Sequence, residues 1–169
     1  PRLNAAGRLG QATLAVELLT SDDVSRSSSL ADYLHQLNKQ RESLERSVFL
    51  GANKQALEAI DSGSEGALVL GARGWHAGVI GIVAGRLVEK FHRPVLLVAL
   101  DEMDIKPGLG SARSVPGFNI AEGLAVCREN LISHGGHAAA AGFQIDPQKL
   151  DSFRSEFCEY ACEHIQKED

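Results

Sequence analysis

The sequence is short of cysteine, of positive charge and of long apolar runs, and each shortage closes off a class of protein. Its three cysteines, Cys127, Cys158 and Cys162, are too few and too oddly numbered for a disulfide framework. Cys158 and Cys162 stand one helical turn apart and read as small packing hydrophobes, which suits a reducing cytoplasm. With 17 Lys and Arg against 22 Asp and Glu, the formal net charge of −5 excludes indiscriminate nucleic-acid binding through a basic surface. A local anion site survives that argument, because a few arginines in a cleft act at short range. No apolar run approaches the ~20 residues that cross a bilayer, so no membrane partner is expected.

Other absences concern motifs. No Asp-His-His sequence occurs, and the aspartates nowhere cluster with histidine at ligand spacing. His134 and His137 are separated by two glycines rather than backed by acids. Neither a metal site nor a catalytic residue is therefore expected from this chain alone. The Gly71–Gly85 region invites comparison with a nucleotide loop. It lacks the Gly-Lys-Ser/Thr ending of a P-loop and any Gly-x-Gly-x-x-Gly, and both are rejected. There is no internal repeat and no low-complexity run. Pro1 opens the chain without an initiator methionine or signal sequence, so a fragment or processed product is expected.

What is present is unevenly distributed. Of the 17 glycines, 14 lie between Gly63 and Gly142, so the first sixty residues hardly turn and the remainder turns often. Pro1–Gly10 sets Arg2, Asn4 and Arg8 among small residues. Residues 11–19 read as a short helix with Leu14, Leu18 and Leu19 on one side. Ser21-Asp22-Asp23 offers N-caps for a much longer helix, whose seam runs Leu30, Leu34, Leu37, Leu44 and Val48 with Arg41 filling the gap. That seam is too short for a coiled coil and predicts a connecting helix of about ten turns, ending near Gly63.

Beyond it, strands and helices alternate, which implies an α/β layered domain. Ala67–Gly71 and Val95–Leu100 read as buried strands, the two flanking a helix that runs to about Phe91. Gly78, Gly81 and Gly85 in that helix permit close approach of a neighbour. Trp75 and His76 at its start read either as core and cap or as an aromatic face and imidazole that meet a nucleobase. Asn119 caps a helix expected to run to about Ser133. A strand over 141–145 follows, and Asp146-Pro147 opens a last amphipathic helix.

Two stretches carry the chemistry. Gly135-Gly136-His137 followed by four alanines presents backbone amides and one imidazole with little side-chain bulk, a pattern suited to an anion. Ser111-Ala112-Arg113-Ser114 adds two hydroxyls and a guanidinium whose planar fork suits phosphate. As a strand, it would send Ser111 and Arg113 to one face and Ser114 to the other.

Together these stretches resemble the paired GSxRS and GGHxxAAGF motifs of the DHHA1 domain, found in DHH-family phosphoesterases. Taken in order, PRLNAAGRL, the long helix, GWHAGVIGIVAGRLVEKFHRPV, GSARS and GGHAAAAGF are similar to the RecJ family of single-stranded-DNA-specific exonucleases. The resemblance implies that residues 1–20 close a DHH domain, 21–61 form a connector helix and 62–169 form a DHHA1 domain, a mixed sheet flanked by helices. It also implies a metal-dependent 5′→3′ exonuclease of DNA repair and recombination, with Mn2+ or Mg2+ held by a DHH core outside this chain. Single-stranded DNA would be gripped here by Ser111, Arg113, Ser114, Gly135, Gly136 and His137, with Arg2, Asn4 and Arg8 closing the site. Two alternatives are a stand-alone nucleic-acid-binding module and an oligonucleotide or cyclic-dinucleotide phosphodiesterase. The latter would need a short interdomain linker, against the reading of residues 21–61.

Overall fold

A computed structural model describes residues 1–165, and its contacts divide the chain into two compact units, Pro1–Ser47 and Val48–Asp169. The division runs through the long helix, whereas the sequence reading places it at residue 61. Residues 166–169 of the expected 62–169 domain lie outside the described residues.

In the first unit, the polar leader is itself helical: α1 spans Arg2–Arg8 and buries Ala5 and Ala6. Helix α2 spans Ala12–Thr20. Leu14 and Leu18 pack with Ala6, Leu34 and Leu37, but Leu19 is 70% exposed, against expectation. Adjacent helical residues lie about 100° apart, and here Leu18 takes the position towards the cluster while Leu19 falls on the solvent side. Helix α3 spans Val24–Asp61, 38 residues and about 57 Å at 1.5 Å per residue. The Asp23 carboxylate accepts from the Arg26 amide at 3.0 Å to cap it, and Gly63 at φ 84° ends it. Leu30, Leu34, Leu37 and Val48 are buried as the seam predicts, and Arg41 in the gap pairs with Glu45 at 2.6 Å. The seam then continues through Ala52 and Ala56, both fully buried.

In the second unit, the last turns of α3 accompany a five-stranded sheet ordered β1-β2-β3-β5-β4. The strands are β1 Leu68–Arg73, β2 Val95–Leu100, β3 Gly108–Arg113, β4 Leu131–Gly136 and β5 Ala140–Ile145. β1 and β2 are parallel, joined by α4 (Ala77–Phe91), and the remaining pairs are antiparallel. One face of the sheet (Val69, Leu96, Val98, Ala112, Phe143, Ile145) packs on α5 (Ile120–Val126) and α6 (Leu150–His164). Phe153 anchors it, with Phe143 and Phe157 at ring-centroid distances of 5.2 and 5.7 Å. Helix α4 lies against β2 and β3, turning Val79, Ile80, Val83 and Leu87 inward.

The helix capped by Asn119 is much shorter than expected. It stops at Val126, and after one 3₁₀ turn at Arg128–Asn130 strand β4 (Leu131–Gly136) takes up residues 131–133, where helix is expected. Pairing explains the change: β5 would otherwise be a bare edge, Leu131 joins the core opposite Ile145, and Gly135-Gly136 disfavours a helix. The opposite edge, β1, is closed by side chains. The carbonyl of Ala67 just before it and its own at Val69 and Gly71 accept from Cys158 Sγ (3.3 Å), Arg154 Nε (2.8 Å) and Gln55 Nε2 (3.3 Å).

Candidate functional site

Strand β3 sends alternate residues to opposite faces of the sheet. Ala112 enters the core, and Ser111 and Arg113 face α4. The Arg113 guanidinium donates from Nη1 to Ser111 Oγ at 3.1 Å and to the Ala112 carbonyl at 2.8 Å. Half-buried and held close to its own strand, it is a cation of fixed position. Helix α4 makes room for it at Gly81, where a Cβ would lie 2.8 Å from Arg113 Nη2 and 2.8 Å from Ser111 Oγ. Ser114 lies just past the strand. Its amide donates to the Ala139 carbonyl (3.0 Å) and its hydroxyl to the Phe118 carbonyl (2.6 Å), leaving only oxygen lone pairs for a ligand.

The two sequence stretches become neighbours through pairing. Ser111 sits opposite Gly142 on β5, which sits opposite Gly135 on β4. These three share a face. Gly135 and Gly142 are exposed, so the row across from Ser111 carries no side chain on either strand, while Ala140 stands opposite Arg113. The fold does not demand this. A Cβ on Gly135 would meet nothing within 4 Å, one on Gly142 would meet only the Gly110 carbonyl at 3.6 Å, and neither has positive φ. Gly136 differs: its φ of 150° and a Cβ position 2.4 Å from Ala141 Cα make glycine obligatory.

The turn after β4 is tied down by its backbone. The His137 amide donates to Ala140 (2.8 Å), and the Ala138 carbonyl accepts from the Ile120 amide (3.0 Å). The His137 ring is therefore carried on a fixed, exposed turn beside the glycine floor. His76 is the N-cap of α4, its Nδ1 accepting from the Gly78 amide at 3.0 Å, which puts the proton of a neutral ring on Nε2. Trp75 is half-buried against α3, its indole Nε1 3.4 Å from the position a Cβ would take at Gly51. In the first unit, Asn4 and Arg8 line a depression of about 320 Å³ with Leu3, Gly7, Ala12 and Ala15, and Arg2 is exposed. Sequence reasoning missed Gly81 as the partner of Arg113 and Gly142 as floor. The only signal was glycine where a helix and a strand have no use for it.

No group of three or more His, Cys, Asp and Glu that could hold a metal ion occurs among the described residues. Helices among the described residues are also not long and apolar enough to cross a membrane.

Comparison with known proteins places the fold in a family. Residues 64–163 match the DHHA1 domain family. The whole chain is 39% identical to the single-stranded-DNA-specific exonuclease RecJ of Bacillus subtilis (strain 168), of which it covers 21%. Across 95% of the chain, identity to the Thermus thermophilus RecJ is 37%, over 22% of that protein. A crystal structure of the Thermus RecJ in complex with Mn2+ superposes with a TM-score of 0.87 at 36% identity, covering 98% of this chain and 24% of that one. A structure of exonuclease RecJ bound to manganese gives 0.82 at 37% identity, covering 95% of this chain and 39% of that one. The chain thus spans between about a fifth and two-fifths of these relatives. With the family match covering more than half of its residues and the strand-paired motifs in place, the chain belongs to the DHHA1 domain family.

Proposed function

We propose that this chain is the substrate-gripping part of a cytoplasmic 5′→3′ exonuclease acting on single-stranded DNA in repair and recombination. The reading rests on one observation: Gly135 and Gly142 leave a side-chain-free row across from Ser111, the partner of Arg113, and nothing inside the fold asks for glycine at either position. A bare floor next to a fixed guanidinium suits a ligand whose own backbone is the bulky, charged part, as a phosphodiester chain is.

In this reading Arg113 gives phosphate oxygens a charge-assisted, planar donor set, and Ser111 orients it. Gly135 and Gly136 admit the sugar-phosphate chain to the sheet, and β4, an edge strand, turns unpaired backbone groups outward beside it. His137 donates to a second phosphate from the anchored turn, and Ser114 holds that turn. Arg2, Asn4 and Arg8 are phosphate contacts of the first unit. The solved RecJ structures hold Mg2+ or Mn2+. The described residues of this chain do not fit such an ion, so its part in hydrolysis is to bind and orient DNA.

The test is binding of a fluorescent, 5′-phosphorylated oligothymidylate to the full-length protein. Gly142→Val should weaken binding about ten-fold or more by standing a side chain on the floor, while the melting temperature stays or rises, because valine favours strands. Arg113→Ala should weaken it similarly. Unchanged affinity in both variants refutes the reading.

A further inference from the structure

The notch at Gly81 lies outside the two paired motifs, and the function just argued leaves it unexplained. Gly81 stands in the middle of the 15-residue helix α4, where glycine lowers helix stability relative to alanine. Its φ is ordinary, so no turn or left-handed conformation requires it. What does require it is the pair on the strand beneath: a Cβ there would lie 2.8 Å from both Arg113 Nη2 and Ser111 Oγ, and 3.5 Å from Arg113 Cζ. All three are side-chain atoms, two of them the mobile ends of their side chains. A methyl at 81 would therefore displace the guanidinium and the hydroxyl rather than the backbone of α4 or β3.

We infer that Gly81 is a positioning residue for phosphate recognition: the missing side chain on α4 leaves Ser111 free to hold Arg113 and so fixes the direction in which the guanidinium presents its donors. The inference rests on the phosphate-binding role of Arg113 proposed above. Ligand contact by Gly81 itself plays no part in it. The helix forgoes stability at this position so that a cation on the neighbouring strand keeps one orientation.

This gives Gly81→Ala opposite signs in two measurements. Alanine is the better helix former, so the melting temperature should hold or rise, whereas a merely structural glycine in a tight contact would lower it on substitution. Binding of the 5′-phosphorylated oligothymidylate to the full-length protein should weaken about ten-fold, the scale of a displaced charge-assisted contact. Gly85→Ala is the control, one turn along the same helix, because a methyl there meets nothing within 4 Å. It should match wild-type affinity.

A double-mutant cycle ties the effect to the guanidinium. If Gly81 acts through Arg113, the Gly81→Ala, Arg113→Ala double variant should bind no more weakly than Arg113→Ala alone. Additive losses would refute the inference, as would wild-type affinity in Gly81→Ala alongside a weakened Arg113→Ala. An Arg113→Ala variant of wild-type affinity would instead strike the phosphate-binding reading, and the two failures are told apart by that variant alone.

Discussion

Replacing Ala52 by glutamate tests whether the end of α3 belongs to the α/β unit or merely leads to it. Alanine and glutamate differ little in helix propensity, so the substitution leaves α3 as a helix and changes only what its buried face carries. Ala52 is fully buried between Val48 and Ala56, which are 3% and 0% exposed. A carboxylate cannot remain there without a partner, and the cheaper response is for the last turns of the helix to peel away. That loses burial of one valine, about 1.5–3 kcal/mol, and of two alanine methyls at about 0.8 kcal/mol each. The Gln55 bond to the Gly71 carbonyl adds about 1 kcal/mol. The sum, about 4–6 kcal/mol, is an upper estimate set against a total stability of about 5–15 kcal/mol. Trp75 supplies the assay, because it is the sole tryptophan and its indole lies beside Gly51. Its fluorescence should shift on undocking, and urea unfolding should move to a much lower midpoint. Leu50→Glu, at a position 64% exposed, should leave the midpoint within about 0.5 kcal/mol of wild type. A spacer helix predicts that both variants behave alike. Equal midpoints and an unchanged Trp75 spectrum in Ala52→Glu would refute the core assignment, and by the same argument a 62–169 fragment should fail to fold.

Three further outcomes are expected. Gly136→Ala should lower stability by about 1–3 kcal/mol in thermal unfolding, since its φ of 150° and the Ala141 backbone 2.4 Å from a Cβ leave no relaxation route through a side chain. Burial, then Glu156 and Cys158, pushes the Cys127 thiol up from 9.0 to about 12. Its contribution is thus fully present below pH 9 and lost as pH rises towards 12, so Cys127→Ala should flatten the fall in melting temperature across that window. The 169-residue chain should release no nucleotides from single-stranded DNA with Mn2+ or Mg2+, and activity that survives purification controls and disappears with Arg113→Ala would contradict this.

The long helix, the alternation of strands and helices, and the pairing of Phe153 and Phe157 with the core were legible because each rests on a repeating apolar pattern or a cap. Asp23, His76, Asn119 and Gly63 all punctuate helices where their chemistry suggests. Failure came where tertiary pairing outweighed local preference. Leu131-Ile132-Ser133 carries no strong helix breaker, and only the presence of β5 alongside makes it a strand. Ala52 and Ala56 escaped the seam for another reason: an alanine looks indifferent to burial, and nothing local says that both are fully buried.

The site was half legible for a related reason. Arg113, Ser111 and the Gly-Gly-His stretch announce themselves through residue type, whereas Gly81 and Gly142 matter through what they lack. Glycine can be present for backbone conformation, for close packing or for an open surface, and the sequence does not separate the three. The structure does. Gly136 answers to conformation, Gly81 to the two side chains pressed against it, and Gly135 and Gly142 to neither. A glycine with an ordinary φ and empty space above it weakens the strand that holds it and gives the fold nothing in return. On the reading proposed above, two such positions paired across adjacent strands, beside a serine whose hydroxyl lies 3.1 Å from a guanidinium, serve a ligand. The floor should therefore tolerate substitution in every assay of stability and fail in assays of binding, a division that an internal packing role for Gly135 and Gly142 would reverse.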